Sequence, residues 1–124
     1  MAIVGVGVDV EDLDRWTSPD LRLFTADEIE YCAARSRPAE SFAGRWCAKE
    51  AIIKALAGVA KLTTRDVAVD VAGDGRPLAK IPQYLRESGI EVHISIAHSS
   101  TSATAYAVAS RPSQVRSSGS LQGC

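Results

Sequence analysis

The sequence predicts an α+β fold in which a long central helix packs on a mainly antiparallel β-sheet. Three observations support this class. Segments with alternating apolar and polar residues occur near both ends of the chain, as in half-buried strands. One long stretch in the middle has apolar residues at helical spacing. The connections between strands are short and include a glycine-rich turn, which suits hairpins.

The length of 124 residues fits a single domain with a modest core. We expect this domain to span residues 1–110. Residues 111–124 show no periodicity and little apolar content, so they are predicted to form a disordered tail.

Composition and charge limit the kinds of partner that the sequence predicts. The formal net charge is −1 and charged residues make up 23%, so nothing global favours nucleic acid or an anionic membrane. The three cysteines, Cys32, Cys47 and Cys124, are widely spaced and lack a CxxC pair, which argues against a disulfide framework and a zinc site. Cys47 is interpreted as a small apolar residue of the central helix. Without a signal-peptide or membrane-spanning pattern, we expect a cytoplasmic protein.

The first strand is predicted from Ile3 to Val10, with its valines on one face. The other face carries Gly5, Gly7 and Asp9, and the two glycines leave room for a group to approach the backbone closely. If the strand continues, Glu11 joins Asp9. Carboxylates two residues apart on a strand are about 6–7 Å apart and can share a divalent cation. The alternative is that both acids cap the next segment.

The remaining elements follow from local signals. Residues 12–36 are predicted to form one or two short helices, and Thr25 with Glu28 forms a capping box. Later, Val67, Val69 and Val71 alternate as in a strand, and the turn from Gly73 to Pro77 leads back through Leu78–Ile81. A short helix at 82–88, a strand from Ile90 to Ala97 and a final strand at 104–109 complete the order β, α, α, β, β, α, β, β.

The central helix is predicted from an N-cap at Ser41 to a stop at Gly58. Its apolar stripe consists of Phe42, Trp46, Ile53 and Leu56.

Charged residues border this stripe, with Glu50 and Lys54 on one flank and Arg45 and Lys49 on the other. This pattern suits a helix edge that faces a polyanion and a metal. The simpler interpretation is that Glu50 and Lys54 form a solvated ion pair worth about 0.2–0.5 kcal/mol.

His98 stands where a strand meets the hydroxyl-rich segment at 98–102. It is either a structural residue at a strand end or, together with Ser99 and Ser100, part of a phosphate-binding loop.

Three segments occur in a defined order: GVDVEDLDR, FAGRWCAKEAIIKAL and VHISIAHSSTSATAYAV. Together they resemble the 4′-phosphopantetheinyl transferase superfamily, and specifically its short holo-acyl-carrier-protein synthase group. The resemblance covers residues 3–110. The WCAKEAIIKAL segment is similar, position by position, to the signature of that group.

The resemblance implies transfer of 4′-phosphopantetheine from coenzyme A to a serine of an acyl carrier protein or carrier domain, with Mg²⁺ as cofactor. Asp9 and Glu50 match the two metal-binding acids, and Glu50 is also a candidate base. Glu11 matches a position that is acidic in longer relatives, so it is a third candidate ligand. Lys54 matches a lysine that contacts the phosphate near the reacting bond.

Further matches concern coenzyme A and the carrier. His98 matches a position associated with the 3′-phosphate, and Ser99 is its hydroxyl neighbour. Arg15 and the following helix resemble the basic surface that meets the carrier. The other positions matched to coenzyme A are Arg45, Gly75, Arg76 and Pro77, the last three in a turn near the adenine.

Longer relatives have two homologous lobes with the site between them. Because this chain supplies one lobe, we expect its sites to form between protomers. The resemblance to the short group, which assembles as a ring of three, implies a homotrimer. The alternative function is a catalytically silent scaffold that binds a carrier or a nucleotide. The joint presence of Asp9, Glu50 and Lys54 argues against it. The sequence leaves open whether the carrier serves fatty-acid, polyketide or peptide synthesis.

Overall fold

A computed structural model describes residues 1–113. The order of helices and strands is the predicted one, and the α+β class is confirmed. The strands are β1 (Ala2–Asp12), β2 (Ala68–Val71), β3 (Pro77–Lys80), β4 (Glu91–His98) and β5 (Ser102–Arg111). The helices are α1 (Ala26–Ala33), α2 (Pro38–Leu56) and α3 (Gln83–Glu87), with short 3₁₀ turns at Leu13–Trp16, Leu21–Leu23 and Thr64–Asp66. The predicted tail lies outside the described residues from position 114 onward.

The strands of residues 1–113 form two antiparallel units instead of one sheet. β1, β5 and β4 lie side by side in that order, and β2 pairs with β3 as a separate hairpin. The alanines of β5 at positions 103, 105, 107 and 109 are buried beneath α2. Small side chains on this face let the helix lie close to the sheet.

The two glycines of β1 bring that strand closest to the helix. A Cβ atom at Gly5 would overlap the carbonyl oxygen of Ala55, and one at Gly7 would overlap that of Ala51. The group that approaches the β1 backbone is therefore the central helix itself, so the glycine face of β1 is fixed against α2.

The start of the central helix differs from the prediction. α2 begins at Pro38, one turn before Ser41, and it ends at Leu56 with Ala57 as C-cap, just before Gly58. Proline is well suited to the first helical position, because its missing N–H has no intrahelical partner there and its φ is already helical. Pro38 therefore opens the helix, ahead of the predicted N-cap.

The prediction that Lys49 borders the helix edge is wrong. Lys49 is 1% exposed, and its Nζ donates to Glu28 Oε1 at 2.9 Å and to the Leu23 carbonyl at 3.0 Å. The amides of Thr25 and Val69 donate to the two carboxylate oxygens of Glu28 at 2.8 Å each. This buried pair joins α2, the start of α1 and β2, and its hydrogen bonds offset the cost of burying two charges.

On the outer face of the three-stranded sheet, the part formed by β1 and the middle of β5 is apolar and exposed in the single chain. Val6 is 67% exposed, Val10 61% and Tyr106 60%. We call Val6, Val8, Val10 and Tyr106 the valine face. No helix within residues 1–113 has the length and apolar character to cross a lipid bilayer.

Candidate active site

Asp9 lies near the end of β1, opposite Ala105 of β5. The hydroxyl of Thr104 donates to its backbone carbonyl at 2.9 Å, which fixes this part of the strand. One carboxylate oxygen, Oδ1, is 3.5 Å from Lys54 Nζ. The other, Oδ2, is buried and has no hydrogen-bond partner within the described chain. A buried carboxylate oxygen without a donor is costly unless a cation or another donor reaches it.

Glu50 faces the same place from α2. Burial raises the pKa of its carboxyl above the ordinary value, and the negative charges of Asp9 and Glu11 raise it further, whereas Lys54 lowers it. The structure therefore brings together the acids that the sequence selected. Asp9 and Glu50 do not lie on opposite sides of the fold.

Lys54 pairs with β1 and not with Glu50. Its Nζ donates to the Val8 carbonyl at 2.9 Å, in addition to its ion pair with Asp9. The simple solvated pair between Glu50 and Lys54 is absent among residues 1–113. With half of its side chain exposed, Lys54 presents a positive charge at the rim of the acidic site.

Glu11 shares the face of Asp9, because β1 continues to Asp12. Its Oε1 accepts from Arg15 Nη1 at 2.8 Å and from Trp16 Nε1 at 3.3 Å. Sequence reasoning missed Trp16, which belongs to an aromatic cluster with Phe24 and Trp46. Glu11 thus connects the acidic site to Arg15, the residue matched to carrier binding.

Cys47 lies behind the acids and is fully buried. Its thiol donates to the Ala103 carbonyl at 3.5 Å. Burial, with added repulsion from Asp9 and Glu11, raises the pKa of the thiol to about 12. The thiol stays protonated at neutral pH, in agreement with its interpretation as a small apolar residue.

The donor set fits a hard divalent cation. Mg²⁺ prefers oxygen ligands and commonly binds to one or two protein carboxylates together with substrate phosphates. The unpartnered Oδ2 of Asp9 and the neighbouring Glu50 supply such a pair. Within residues 1–113, no three His, Cys, Asp or Glu side chains form a complete protein-only metal site. Two protein carboxylates leave the other coordination positions of such an ion to phosphate oxygens and water.

His98 ends β4 beside the first turn of α2. Its Nδ1 is 3.6 Å from Glu40 Oε1. In the adjoining turn, Ser99 Oγ accepts from the amides of Thr101 and Ser102 at 3.2 and 3.1 Å. Glu40 was not found by sequence reasoning; its position three residues after Arg37, in the first helical turn, was the only available signal.

Arg45 and the Gly75–Pro77 turn lie apart from the acids. The guanidinium of Arg45 lies 4.3 Å from the centre of the Tyr31 ring, and this residue is only 8% exposed. Arg76 pairs with Asp74 at the tip of the β2–β3 hairpin, where Gly75 has a φ of 90°.

One of the cavities in the described chain lies beside Lys54. A cavity of about 300 Å³ is lined by Lys54, Gly7 and three valine-face residues, Val6, Val8 and Tyr106. Two larger cavities, of about 440 and 490 Å³, are not lined by Lys54, although Arg76 lines the second. The small cavity is the relevant one, because it joins Lys54 to the valine face.

Comparison with known proteins agrees with this fold. The model of the 4′-phosphopantetheinyl transferase superfamily matches residues 5–110. A holo-acyl-carrier-protein synthase of Clostridium novyi is 34% identical, with 86% of each chain covered. The fatty acid synthase subunit alpha of Candida albicans is 38% identical over 84% of this chain and 6% of its own length. A Bacillus anthracis holo-acyl-carrier-protein synthase, in complex with CoA (3′,5′-ADP), superimposes with a TM-score of 0.75 at 30% identity, covering 90% of this chain and all of that chain.

The chain belongs to the 4′-phosphopantetheinyl transferase superfamily. It is an enzyme of the holo-acyl-carrier-protein synthase group, as the three sequence segments predicted. The match spans nearly all of the described chain, so the resemblance concerns the whole domain and not an isolated motif.

Proposed function

We propose that this protein transfers 4′-phosphopantetheine from coenzyme A to a serine of an apo acyl carrier protein or carrier domain and releases 3′,5′-ADP. The proposal depends chiefly on one observation. Asp9, Glu50 and Lys54 lie together where α2 crosses the end of β1, in a chain of the matching superfamily.

In the proposed reaction, the serine oxygen forms a bond to the β-phosphorus of coenzyme A, and the bond from that phosphorus to the 3′,5′-ADP oxygen breaks. Glu50 accepts the serine proton, directly or through water. Its place beside Asp9 and Lys54 puts this carboxylate next to the reacting phosphate in the proposed reaction. Lys54 stabilises the negative charge on the departing phosphate.

Asp9 and Glu50 would hold Mg²⁺, with Glu11 as a third candidate ligand. Bound there, the ion supplies Lewis-acid stabilisation of the diphosphate oxygens. Support comes from the unpartnered Oδ2 of Asp9 and from the repulsion that the other acids exert on Glu50. Glu11 is engaged by Arg15 and Trp16, so its role as a ligand requires at least one carboxylate oxygen to remain available.

We assign the rest of coenzyme A to the residues outside the acidic cluster. His98 and Ser99 would bind the 3′-phosphate, because their side chains stand at an exposed strand end. Arg45 and the turn of Gly75, Arg76 and Pro77 would lie along the nucleotide. Arg15 would contact the carrier, which is a separate protein or a domain of a synthase.

We further propose a homotrimer with sites between protomers and a cytoplasmic location. The uncovered valine face supports the trimer, and the cavity beside Lys54 opens onto that face. A neighbouring protomer packed there would border the acidic site. The unpaired, buried thiols of Cys32 and Cys47 suit a reducing compartment.

The test is to incubate the protein with apo-carrier, coenzyme A and Mg²⁺ and to weigh the carrier by mass spectrometry. We expect the carrier to gain one phosphopantetheine. Asp9→Ala and Glu50→Gln should each lower the rate by about a hundredfold or more while leaving the circular-dichroism spectrum unchanged. Glu87→Gln, the same change on exposed α3, is the matched control.

Two results would contradict the proposal. No mass gain with any of several apo-carriers would favour the silent scaffold. Near-normal turnover in Asp9→Ala or Glu50→Gln would show that the roles of these acids are assigned wrongly.

A further inference from the structure

The pair formed by Glu40 and His98 joins two elements at the edge of the site. Glu40 lies in the first turn of α2, and His98 is the last residue of β4. Glu40 Oε1 is 3.6 Å from His98 Nδ1, an ion-pair distance longer than a hydrogen bond. The other oxygen, Oε2, accepts from Arg37 Nη1 at 3.0 Å. The carboxylate is therefore held from one side by Arg37 and faces the imidazole with the other.

The same helix provides a surface for the ring. A Cβ atom at Gly44 would lie 3.7 Å from Nε2 and 3.8 Å from Cδ2 of His98, and 3.0 Å from Ile96 Cγ2. The absent side chain of Gly44 thus makes room for the imidazole and for its neighbour on β4. Together, Gly44 and Glu40 restrict both the position of the ring and the direction of Nδ1.

The second histidine offers an internal comparison. His93 Nε2 is 3.5 Å from Glu91 Oε1, but these side chains are 72% and 74% exposed and lie two residues apart on one strand. Glu40 and His98 are 19% and 38% exposed and come from different elements. Fully solvated pairs contribute little to orientation. The Glu40 pair is the more sheltered of the two, and it alone links α2 to β4.

We propose that Glu40 is a positioning residue that holds the His98 ring with Nδ1 toward itself and Nε2 free for the 3′-phosphate of coenzyme A. This inference rests on the function proposed above. When the ring carries both protons, Nδ1–H points to Glu40 and Nε2–H is left for an anion. Arg37 offsets the negative charge of Glu40, which would otherwise repel the phosphate.

The experiment compares binding of coenzyme A with binding of dephospho-coenzyme A, which lacks only the 3′-phosphate, by titration calorimetry. Wild type, Glu40→Gln, His98→Ala and the double variant form a mutant cycle. We expect wild type to prefer coenzyme A and Glu40→Gln to lose about three- to tenfold of that preference. In the His98→Ala background, Glu40→Gln should change the preference less than about twofold. The matched control, Glu91→Gln beside His93, should leave it unchanged.

Two binding results overturn the inference. In one, Glu40→Gln weakens both ligands equally, as general damage to the fold would. In the other, Glu40→Gln lowers the preference for coenzyme A over dephospho-coenzyme A by the same factor in the wild-type and the His98→Ala backgrounds. If His98→Ala itself keeps the full preference, the role given to His98 in the proposed function is wrong, and with it the phosphate part of this inference.

The orientation of the ring has its own readout, independent of coenzyme A. The chain contains two histidines, so the ring ¹⁵N resonances can be assigned by His98→Ala. In the ligand-free protein we expect Glu40→Gln to shift the His98 resonances and leave those of His93 in place, and Glu91→Gln to do the reverse. Unchanged His98 resonances in Glu40→Gln overturn the positioning role.

Discussion

At the scale of single residues, charge is used in two opposite ways on α2. Lys49 and Glu28 are buried and fully hydrogen-bonded, so they fasten three segments together. One residue along the helix, Glu50 faces Asp9 and Glu11 with its pKa raised. The first pair is satisfied within the protein, whereas the acids around Glu50 repel one another and need a cation. Whether a charged side chain is paired within the protein therefore distinguishes a structural from a functional residue more clearly than its exposed fraction does.

The pH dependence of stability follows from Glu50. Its folded-state pKa lies above the ordinary value of 4.5, so between those two values the folded protein binds more protons than the unfolded chain. Stability therefore falls as pH rises through that interval. We expect Glu50→Gln to be more stable than wild type at neutral pH, and this gain to shrink as pH falls through that interval and to level off below 4.5. Denaturant unfolding at a series of pH values, with chelator present, measures it. A gain independent of pH would show that ionisation of Glu50 carries no cost.

Sequence patterns selected the acids but not all of the residues that surround them. Asp9 was predictable because the strand period places it on the same face as Gly5 and Gly7. Glu50 borders the apolar stripe of the central helix, and its pairing with Asp9 was predicted by the resemblance to the transferase family. The burial of Lys49 was not predictable, because its partner Glu28 lies on another helix. A helical lysine without a partner nearby in the sequence is normally predicted to be solvent-exposed. Glu40 was missed for a similar reason. Its contact with His98 spans two elements that are distant in sequence.

At the scale of elements, the packing of β1 on α2 determines the site. The strand carries Asp9 and the helix carries Glu50, and the contact between them is made by backbone atoms at Gly5 and Gly7. Periodicity predicted both elements and the room left by the glycines. It could not show that the helix fills that room, because nothing in the strand specifies what packs on it. The early start of α2 was missed because Pro38 signals either a loop or a first turn.

Substituting Gly7 tests this contact. In Gly7→Ala, the new methyl would overlap the Ala51 carbonyl and lie 2.9 Å from Lys54 Cβ, so the helix must move away from the strand. We expect a loss of about 1–3 kcal/mol in the free energy of unfolding and reduced transfer activity. The control is Gly73→Ala, since no heavy atom lies within 4 Å of its Cβ. Both substitutions lower the conformational entropy of the unfolded chain by a similar amount, so this effect cancels in the comparison. Equal stability of the two variants would contradict the close packing.

At the scale of the whole molecule, the valine face is an apolar surface that remains exposed in the single chain. Alternation along β1 predicted two distinct faces, but it could not tell which one is buried. Valines usually mark the inner face, yet here glycines and alanines face the helix and the valines face outward. Four apolar side chains side by side on a sheet surface favour a partner. Under the proposed assembly, that partner is another copy of the chain.

A charge on the valine face should dissociate the assembly. Val6 is 67% exposed in the single chain, so Val6→Glu should not disturb its core. We expect wild type to have the mass of a trimer by light scattering and Val6→Glu to have the mass of a monomer. The transfer activity of Val6→Glu should be at least tenfold lower, because the groups that a neighbouring protomer supplies to the site would be lost. Val59→Glu, at a valine 37% exposed after α2, is the matched control. A wild-type monomer, or a fully active monomeric variant, would contradict shared sites.

The close backbone contact at Gly5 and Gly7 also bears on how such a site can vary between proteins. The gap between the carboxylates of Asp9 and Glu50 is set by main chain resting on main chain, not by the bulk of any side chain beneath. Core residues elsewhere can therefore be exchanged without resetting that gap. A single methyl group on either glycine would widen it.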